Sequence, residues 1–127
     1  MILVDTSVWA DFFRGVEPAA SRLAQLLEAN EVALAGPIFT ELLRGVRSRK
    51  DRETVAAALE GCHWLEADPS LWKEAGLLGA ALGRKGYNVK TLDLLIATVA
   101  LAHDVALLTL DSDFSHLRKA GIPLRLA

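Results

Sequence analysis

Short, continuously apolar runs alternate along this chain with amphipathic segments, and this alternation limits the possible folds. The clearest runs are residues 2–4, 32–35 and 105–110. A strand whose successive side chains are all apolar is buried on both faces, as in a parallel sheet that helices cover on both sides. The sequence therefore predicts an α/β fold with three layers, α/β/α, around a central, mostly parallel sheet with right-handed crossovers.

The segments between these runs have helical spacing of apolar residues. Helices are predicted at residues 8–13, 18–29, 37–44, 51–60, 69–85, 92–103 and 114–120, with Thr91 as the cap of the sixth. A short edge strand is expected at 63–65 and a last strand at 123–126. The glycines at 76, 79 and 83 have the wrong spacing for a dinucleotide loop, so we expect them to allow close helix packing.

Composition narrows the class of protein. With 127 residues, 52% of them hydrophobic, the chain can bury the core of one domain and is not disordered. Its longest apolar stretch, 94–102, is about half the ~20 residues of a membrane span, and no targeting signal is expected. The single Cys62 cannot form an internal disulfide, which indicates a reducing compartment such as the cytoplasm.

Four acidic residues are predicted near the carboxyl ends of the strands, where ligands bind in such sheets. Asp5 directly follows the first run and Asp111 directly follows 105–110. Glu41 lies one turn into the helix after 32–35, and Asp93 lies in the first turn of the helix that Thr91 is predicted to cap, which no clear strand precedes. Taken singly, such an acid is ordinarily a helix cap or dipole partner, and that interpretation stays open. Asp93 and Glu41, however, share helix faces with apolar residues, where an unpaired carboxylate costs several kcal/mol.

Cationic side chains at these positions are too few to neutralise four carboxylates, whereas a metal ion could. Oxygen ligands without a matching His or Cys set select a hard divalent cation, Mg²⁺ or Mn²⁺. Such an ion can polarise a phosphate, lower the pKa of a bound water and stabilise a leaving oxygen. Hydrolysis of a phosphodiester is therefore the chemistry that the residues themselves favour.

Four motifs stand in order along the chain: DTSVW at 5–9, TELLRG at 40–45, LDLLIA at 92–97 and LTLDSDF at 108–114. In order and spacing they resemble the motifs of the PIN-domain ribonucleases, and more specifically the VapC toxins of toxin–antitoxin pairs. The resemblance implies a single PIN-like nuclease domain over residues 1–127 with metal-dependent endoribonuclease activity. It also implies an antitoxin partner whose C-terminal segment lies across the acidic pocket, and a homodimer.

The same resemblance implies roles for individual residues. The implied quartet around one or two Mg²⁺ or Mn²⁺ ions is Asp5, Glu41, Asp93 and Asp111. Asp5 and Asp93 would be the principal ligands, and the other two would orient waters or a second ion. Ser7 matches a family hydroxyl that can bond a metal-bound water or the phosphate. Asp113 falls where many members have a second acid, with capping of the next helix as the alternative.

One basic run follows the Glu41 helix, and it consists of Arg44, Arg47, Arg49, Lys50 and Arg52. It is either a solvated loop or, with Arg14 as a further candidate, a track for the RNA backbone. The net charge of −2 excludes a strongly basic, nonspecific nucleic-acid binder. Assigning four of the 16 acidic residues to a metal pocket leaves 12 against 14 cationic residues, which is compatible with local RNA contacts.

The alternative function is a non-catalytic α/β interaction module or a receiver-like signalling domain. A receiver needs an acidic pair near the end of its first strand and a lysine after a late strand. Here Asp5 stands alone and Lys119 is not at a predicted strand end. The three histidines have no metal-ligand spacing, so structural or surface roles are expected for them.

Overall fold

The computed structural model describes residues 1–127 and contains a four-stranded sheet. Its strands are β1 (Ile2–Val4), β2 (Val32–Leu34), β3 (His63–Trp64) and β4 (Ala106–Leu108). Their order across the sheet is β3-β2-β1-β4, and every neighbouring pair is parallel. The predicted parallel α/β fold is confirmed, as is the position of the third strand at an edge.

Seven helices complete the three-layer α/β/α architecture. They are α1 (Thr6–Arg14), α2 (Ala19–Glu28), α3 (Gly36–Arg44), α4 (Arg49–Glu60), α5 (Pro69–Arg84), α6 (Thr91–Ala102) and α7 (Asp113–Lys119). Local signals set several of their ends. The carboxylate of Asp68 caps α5 by accepting from the Leu71 N–H at 3.1 Å. Gly15, at φ 70°, ends α1 in the left-handed conformation that suits glycine.

Three sequence predictions about elements were wrong. The strand β4 ends at Leu108, two residues early, because Leu110 belongs to the apolar run but is 56% exposed outside the sheet. The predicted last strand is reduced to one parallel bridge between Leu107 and Leu126. Thr91 is the first residue of α6 and not its cap, because Lys90 occupies the cap position in extended conformation.

The core includes strand β2, most of β1 and β4, the buried Trp9 and half of α6. Six residues of α6 are buried, and they are Leu94, Ile96, Ala97, Thr98, Val99 and Ala100. Helix α5 approaches α6 closely at Gly79, where an added Cβ would lie 2.6 Å from Leu94 Cδ2. Gly76 and Gly83 face open space, so the predicted packing role holds for Gly79 alone. No helix combines the length and apolar character that crossing a bilayer requires.

Candidate active site

The register of β1 and β4 brings Asp5 and Thr109 together at the carboxyl rim of the sheet. Val4 pairs with Leu108 in the parallel ladder, and Asp5 and Thr109 are the next residues of the two chains. The Asp5 N–H donates to the Leu108 carbonyl at 2.9 Å, and Thr109 Oγ1 donates to Asp5 Oδ2 at 2.8 Å. The end of the ladder therefore fixes the position of the Asp5 carboxylate.

Asp5 is the only buried acidic residue of the chain, with 5% of its surface exposed. Its Oδ2 accepts from two hydroxyls, that of Thr109 and that of Ser7 at 3.0 Å. No side-chain hydrogen bond reaches Oδ1, and no cationic group forms an ion pair with this carboxylate. A buried carboxylate with an unbonded oxygen and no ion-pair partner is suited to bind a cation.

Three further carboxylates converge beside Asp5 and are called here the carboxylate cluster: Asp93, Asp111 and Asp113. Each contributes one oxygen to a group whose members all lie within 4.8 Å of one another. Asp93 is in the first turn of α6, Asp111 is in the loop after β4, and Asp113 is the first residue of α7. The only cation within ion-pair reach is Lys90, whose Nζ lies 4.0 Å from Asp113 Oδ2.

The excess of negative charge in the cluster contributes to a raised pKa at Asp93. Burial is the largest cause and the charges of Asp111, Asp113 and Asp5 add to it, so that this pKa is raised to about 6 although Lys90 opposes the shift. Like charges at such separations disfavour the ionised forms. The donor set consists of carboxylate oxygens alone, which fits a hard divalent cation such as Mg²⁺ or Mn²⁺.

Changing Asp93 to Asn is expected to stabilise the metal-free protein at neutral pH. The folded-state pKa of Asp93 lies above its unfolded value, so the Asp93 contribution to stability falls as pH rises from about 4 to about 6. Because Asp93 is partly exposed, we expect a gain of only about 1 kcal/mol at pH 7 after solvent screening.

The test is a series of thermal melts in EDTA from pH 4 to pH 7. The difference in melting temperature between Asp93→Asn and the unmodified protein should vanish near pH 4. Asp11→Asn, a matched change in α1 at a side chain without hydrogen bonds, should show no such trend. An Asp93→Asn protein that is less stable at pH 7 would contradict the electrostatic interpretation.

Side-chain capping accounts for none of Asp5, Asp93 and Asp113. Helices α4 and α5 have side-chain caps, but α1, α6 and α7 have none. Asp5 therefore occupies the cap position of α1 without using its carboxylate as a cap, and Asp113 lies inside α7. The carboxylate of Asp111 does have a structural bond, since its Oδ1 accepts from the Asp113 N–H at 2.9 Å.

Glu41 stands apart from the carboxylate cluster. Its Oε1 accepts from Thr6 Oγ1 at 2.9 Å, and it lies in α3, the helix that follows β2. It lines a cavity of about 590 Å³, called here the Glu41 cavity, together with Arg14 and Arg47. The structure thus brings Asp5, Asp93 and Asp111 into one electrostatic site and places Glu41 on the β2 side of it.

Two threonines that the sequence argument did not single out support the site. Thr6 holds Glu41, and Thr109 holds Asp5 while accepting from the Asp111 N–H at 3.0 Å. Ser7, which was singled out, also accepts from the Leu110 N–H at 3.0 Å. Both threonines are polar residues close to a strand end, and this position is the signal that could have identified them.

The basic run is exposed throughout, and only Arg47 of it lines the Glu41 cavity. Arg49 forms a surface ion pair with Glu53 at 3.2 Å.

The three histidines divide into two groups. His63 and His103 bond the backbone carbonyls of Asn30 and Glu66, a structural role as predicted. His116 lines a second cavity beside the carboxylate cluster.

A family model described as PIN domain matches residues 2–120. The chain belongs to the PIN domain family. Among relatives of this PIN domain, Ribonuclease VapC11 of Mycobacterium tuberculosis is 33% identical over 119 residues, covering 90% of this chain and 89% of the relative. Ribonuclease VapC19 of the same species is 32% identical over 114 residues, covering 86% and 87%.

The fold of this PIN domain is also that of solved structures. A chain in the structure of VapBC2 from Rickettsia felis, bound to a DNA fragment from its promoter, superposes with a TM-score of 0.79. That chain is 22% identical, and the match covers 100% of this PIN domain and 98% of the other chain. The predicted family is confirmed, and the receiver-like alternative is not favoured.

Proposed function

We propose that this PIN domain is the toxin of a toxin–antitoxin pair, an endoribonuclease that hydrolyses RNA phosphodiester bonds by metal-activated water. One observation carries the proposal: three carboxylates converge next to the buried Asp5 with a single lysine within ion-pair reach. The relatives support the reaction class, since curated proteins at 33% and 32% identity are named ribonucleases.

Asp5 and Asp93 are the proposed principal metal ligands, with Asp111 and Asp113 completing the set. Ser7 and Thr109 hold Oδ2 of Asp5 and so orient its second oxygen, Oδ1, which accepts no side-chain hydrogen bond. When bound, Mg²⁺ or Mn²⁺ polarises the phosphate, activates a water and stabilises the leaving oxygen. Glu41, fixed by Thr6, is proposed to orient waters or a second ion from the β2 side.

The proposed RNA contacts begin at the Glu41 cavity. Arg14 and Arg47 line this cavity, so they can hold backbone phosphates near the acidic residues. The proposed contacts continue through the other exposed residues of the basic run: Arg44, Arg49, Lys50 and Arg52. Contacts of this kind position the strand without reading its sequence.

The proposed partners are an antitoxin protein, a second copy of the chain and RNA. Support for the antitoxin comes from the matched solved structures, of which one is described as a toxin–antitoxin complex and another as a member of the VapBC family of toxin–antitoxin systems. An antitoxin segment across the acidic rim would block the site. We place the protein in the cytoplasm, where its buried Cys62, the only cysteine, stays reduced.

The ends of the RNA fragments test the proposed reaction. Attack by an activated water with a leaving 3′ oxygen yields fragments with 5′ phosphates, whereas attack by the neighbouring 2′-hydroxyl yields 2′,3′-cyclic phosphates and 5′-hydroxyls. We expect fragments of total bacterial RNA to ligate to an adaptor that requires a 5′ phosphate, without prior kinase treatment.

A mock purification from cells without the gene controls for contaminating ribonucleases in this assay. Fragments that ligate only after kinase treatment would contradict metal-activated water as the nucleophile. Absence of fragments from any RNA class in the presence of Mg²⁺ or Mn²⁺ would contradict the proposed activity itself.

A further inference from the structure

A cavity of about 670 Å³ opens beside the carboxylate cluster, and most of its lining residues have no role described so far. It is called here the Tyr87 cavity. One wall is the segment 86–90 between α5 and α6, and the other is α7 with His116 and Lys119. Asp93 and Asp113 also line it, so the cavity is continuous with the cluster. Its volume is in the range of small-ligand pockets, roughly 300–1,000 Å³.

The Tyr87 cavity and the Glu41 cavity lie on opposite sides of Asp5. The strand order across this part of the sheet is β2-β1-β4, and Asp5 follows the middle strand. Helix α3, which follows β2, lines the Glu41 cavity together with α1 and α4, and α7, which follows β4, lines the Tyr87 cavity. A strand of RNA whose scissile phosphate lies at the cluster can therefore extend toward both cavities.

The chemistry of the Tyr87 cavity is that of a nucleotide site. Tyr87 is 42% exposed and presents a ring on which a base can stack. Lys90 and Lys119 supply positive charge for a phosphate, and Asn88 supplies an amide for a base edge. Within the protein, the side chains of Tyr87, Asn88, His116 and Lys119 make no hydrogen bond, so all of them are available to a ligand.

We propose that the Tyr87 cavity is a subsite for one nucleotide of single-stranded RNA, adjacent to the phosphate at the carboxylate cluster. The base stacks on Tyr87, and a backbone phosphate lies against Lys119 and Lys90. This assignment rests on the proposed ribonuclease function, and it makes the segment 86–90 a determinant of which nucleotide is accepted beside the cleaved bond. Single-stranded segments are where proteins read RNA bases by stacking and edge contacts.

The test is an NMR titration of the ¹⁵N-labelled full chain with 5′-AMP in the presence of Mg²⁺. This nucleotide has no phosphodiester bond to cleave, so binding is measured without turnover. We expect saturable shifts, at millimolar concentrations, in the amides of 86–90 and 116–120. Shifts confined to the Glu41 cavity, or no saturable shift, would overturn the proposal.

Matched variants test the assigned contacts. Tyr87→Leu should weaken 5′-AMP binding about fivefold or more by removing the stacking surface, whereas Tyr87→Phe should retain it. Lys119→Ala should weaken binding about threefold through loss of a phosphate contact. Lys73→Ala removes an exposed lysine of α5 that lines none of the cavities described, and should leave binding unchanged.

Equal affinity in all four variants would overturn the assignment even if the shifts map to the cavity. Because these side chains are exposed, melting temperatures should be alike and exclude misfolding as the cause. The outcome is separable from that of the ribonuclease proposal. Nucleotide binding at 86–90 without any RNA cleavage would support the subsite and contradict the ribonuclease proposal. RNA cleavage without nucleotide binding would support the ribonuclease proposal and contradict the subsite.

Discussion

Asp5→Asn is expected to lower the rate of RNA cleavage by more than about a hundredfold. Loss of a residue that only supports a metal ligand costs up to about a hundredfold, and Asp5 is proposed as a ligand itself. The change removes the charge of the most buried carboxylate of the site and keeps its shape. The new amide can turn its oxygen toward the hydroxyls of Ser7 and Thr109, which now donate to Oδ2. The fold should therefore survive, and thermal melts of the variant should show one cooperative transition.

The matched control for this substitution is Asp11→Asn. Asp11 lies in α1, six residues after Asp5, and its side chain makes no hydrogen bond or ion pair. Its replacement should leave the initial rate of cleavage of the same RNA unchanged. Cleavage by Asp5→Asn at the rate of the Asp11→Asn protein would remove Asp5 from the catalytic site.

The position of Asp5 could be predicted from the sequence because a short apolar run ends sharply at a polar residue there. The end of β4 was predicted two residues late because 105–110 was counted as one apolar run across the polar Thr109, although Leu110 beyond it is 56% exposed outside the sheet. Pairing with β1 ends the strand at Leu108, and hydropathy does not record pairing. Thr109 was therefore missed, and Asp111 was predicted two residues too close to the strand.

The grouping of the acids could be predicted only in part for a related reason. Spacing along the chain places Asp111 after a strand, Glu41 in the helix after a strand and Asp93 in the first turn of a helix, but the separations between these acids depend on how the helices pack. The contact of α6 with α7 and the bond from the Asp113 N–H to Asp111 bring Asp113 to Asp93. Glu41 is instead held by Thr6, on the side of β2.

Removal of divalent metal is expected to reduce RNA cleavage to the background rate, and addition of Mg²⁺ or Mn²⁺ in excess of EDTA should restore it. The carboxylates that converge on the site have one lysine within ion-pair reach, so without a cation their charges repel one another and a phosphate. Cleavage that persists at full rate in EDTA, after the protein itself has been dialysed against EDTA, would contradict metal dependence.

The same ion should stabilise the folded chain, which gives a readout independent of cleavage. An ion at a hundred times its dissociation constant adds about 2.7 kcal/mol to the free energy of unfolding. The increase in melting temperature with Mn²⁺ should shrink below pH 6, because protons compete for Asp93, whose pKa is raised to about 6. Asp93→Asn should lose most of this increase and Asp11→Asn should keep it. If both variants respond to Mn²⁺ as the unmodified protein does, the ion binds somewhere other than the carboxylate cluster.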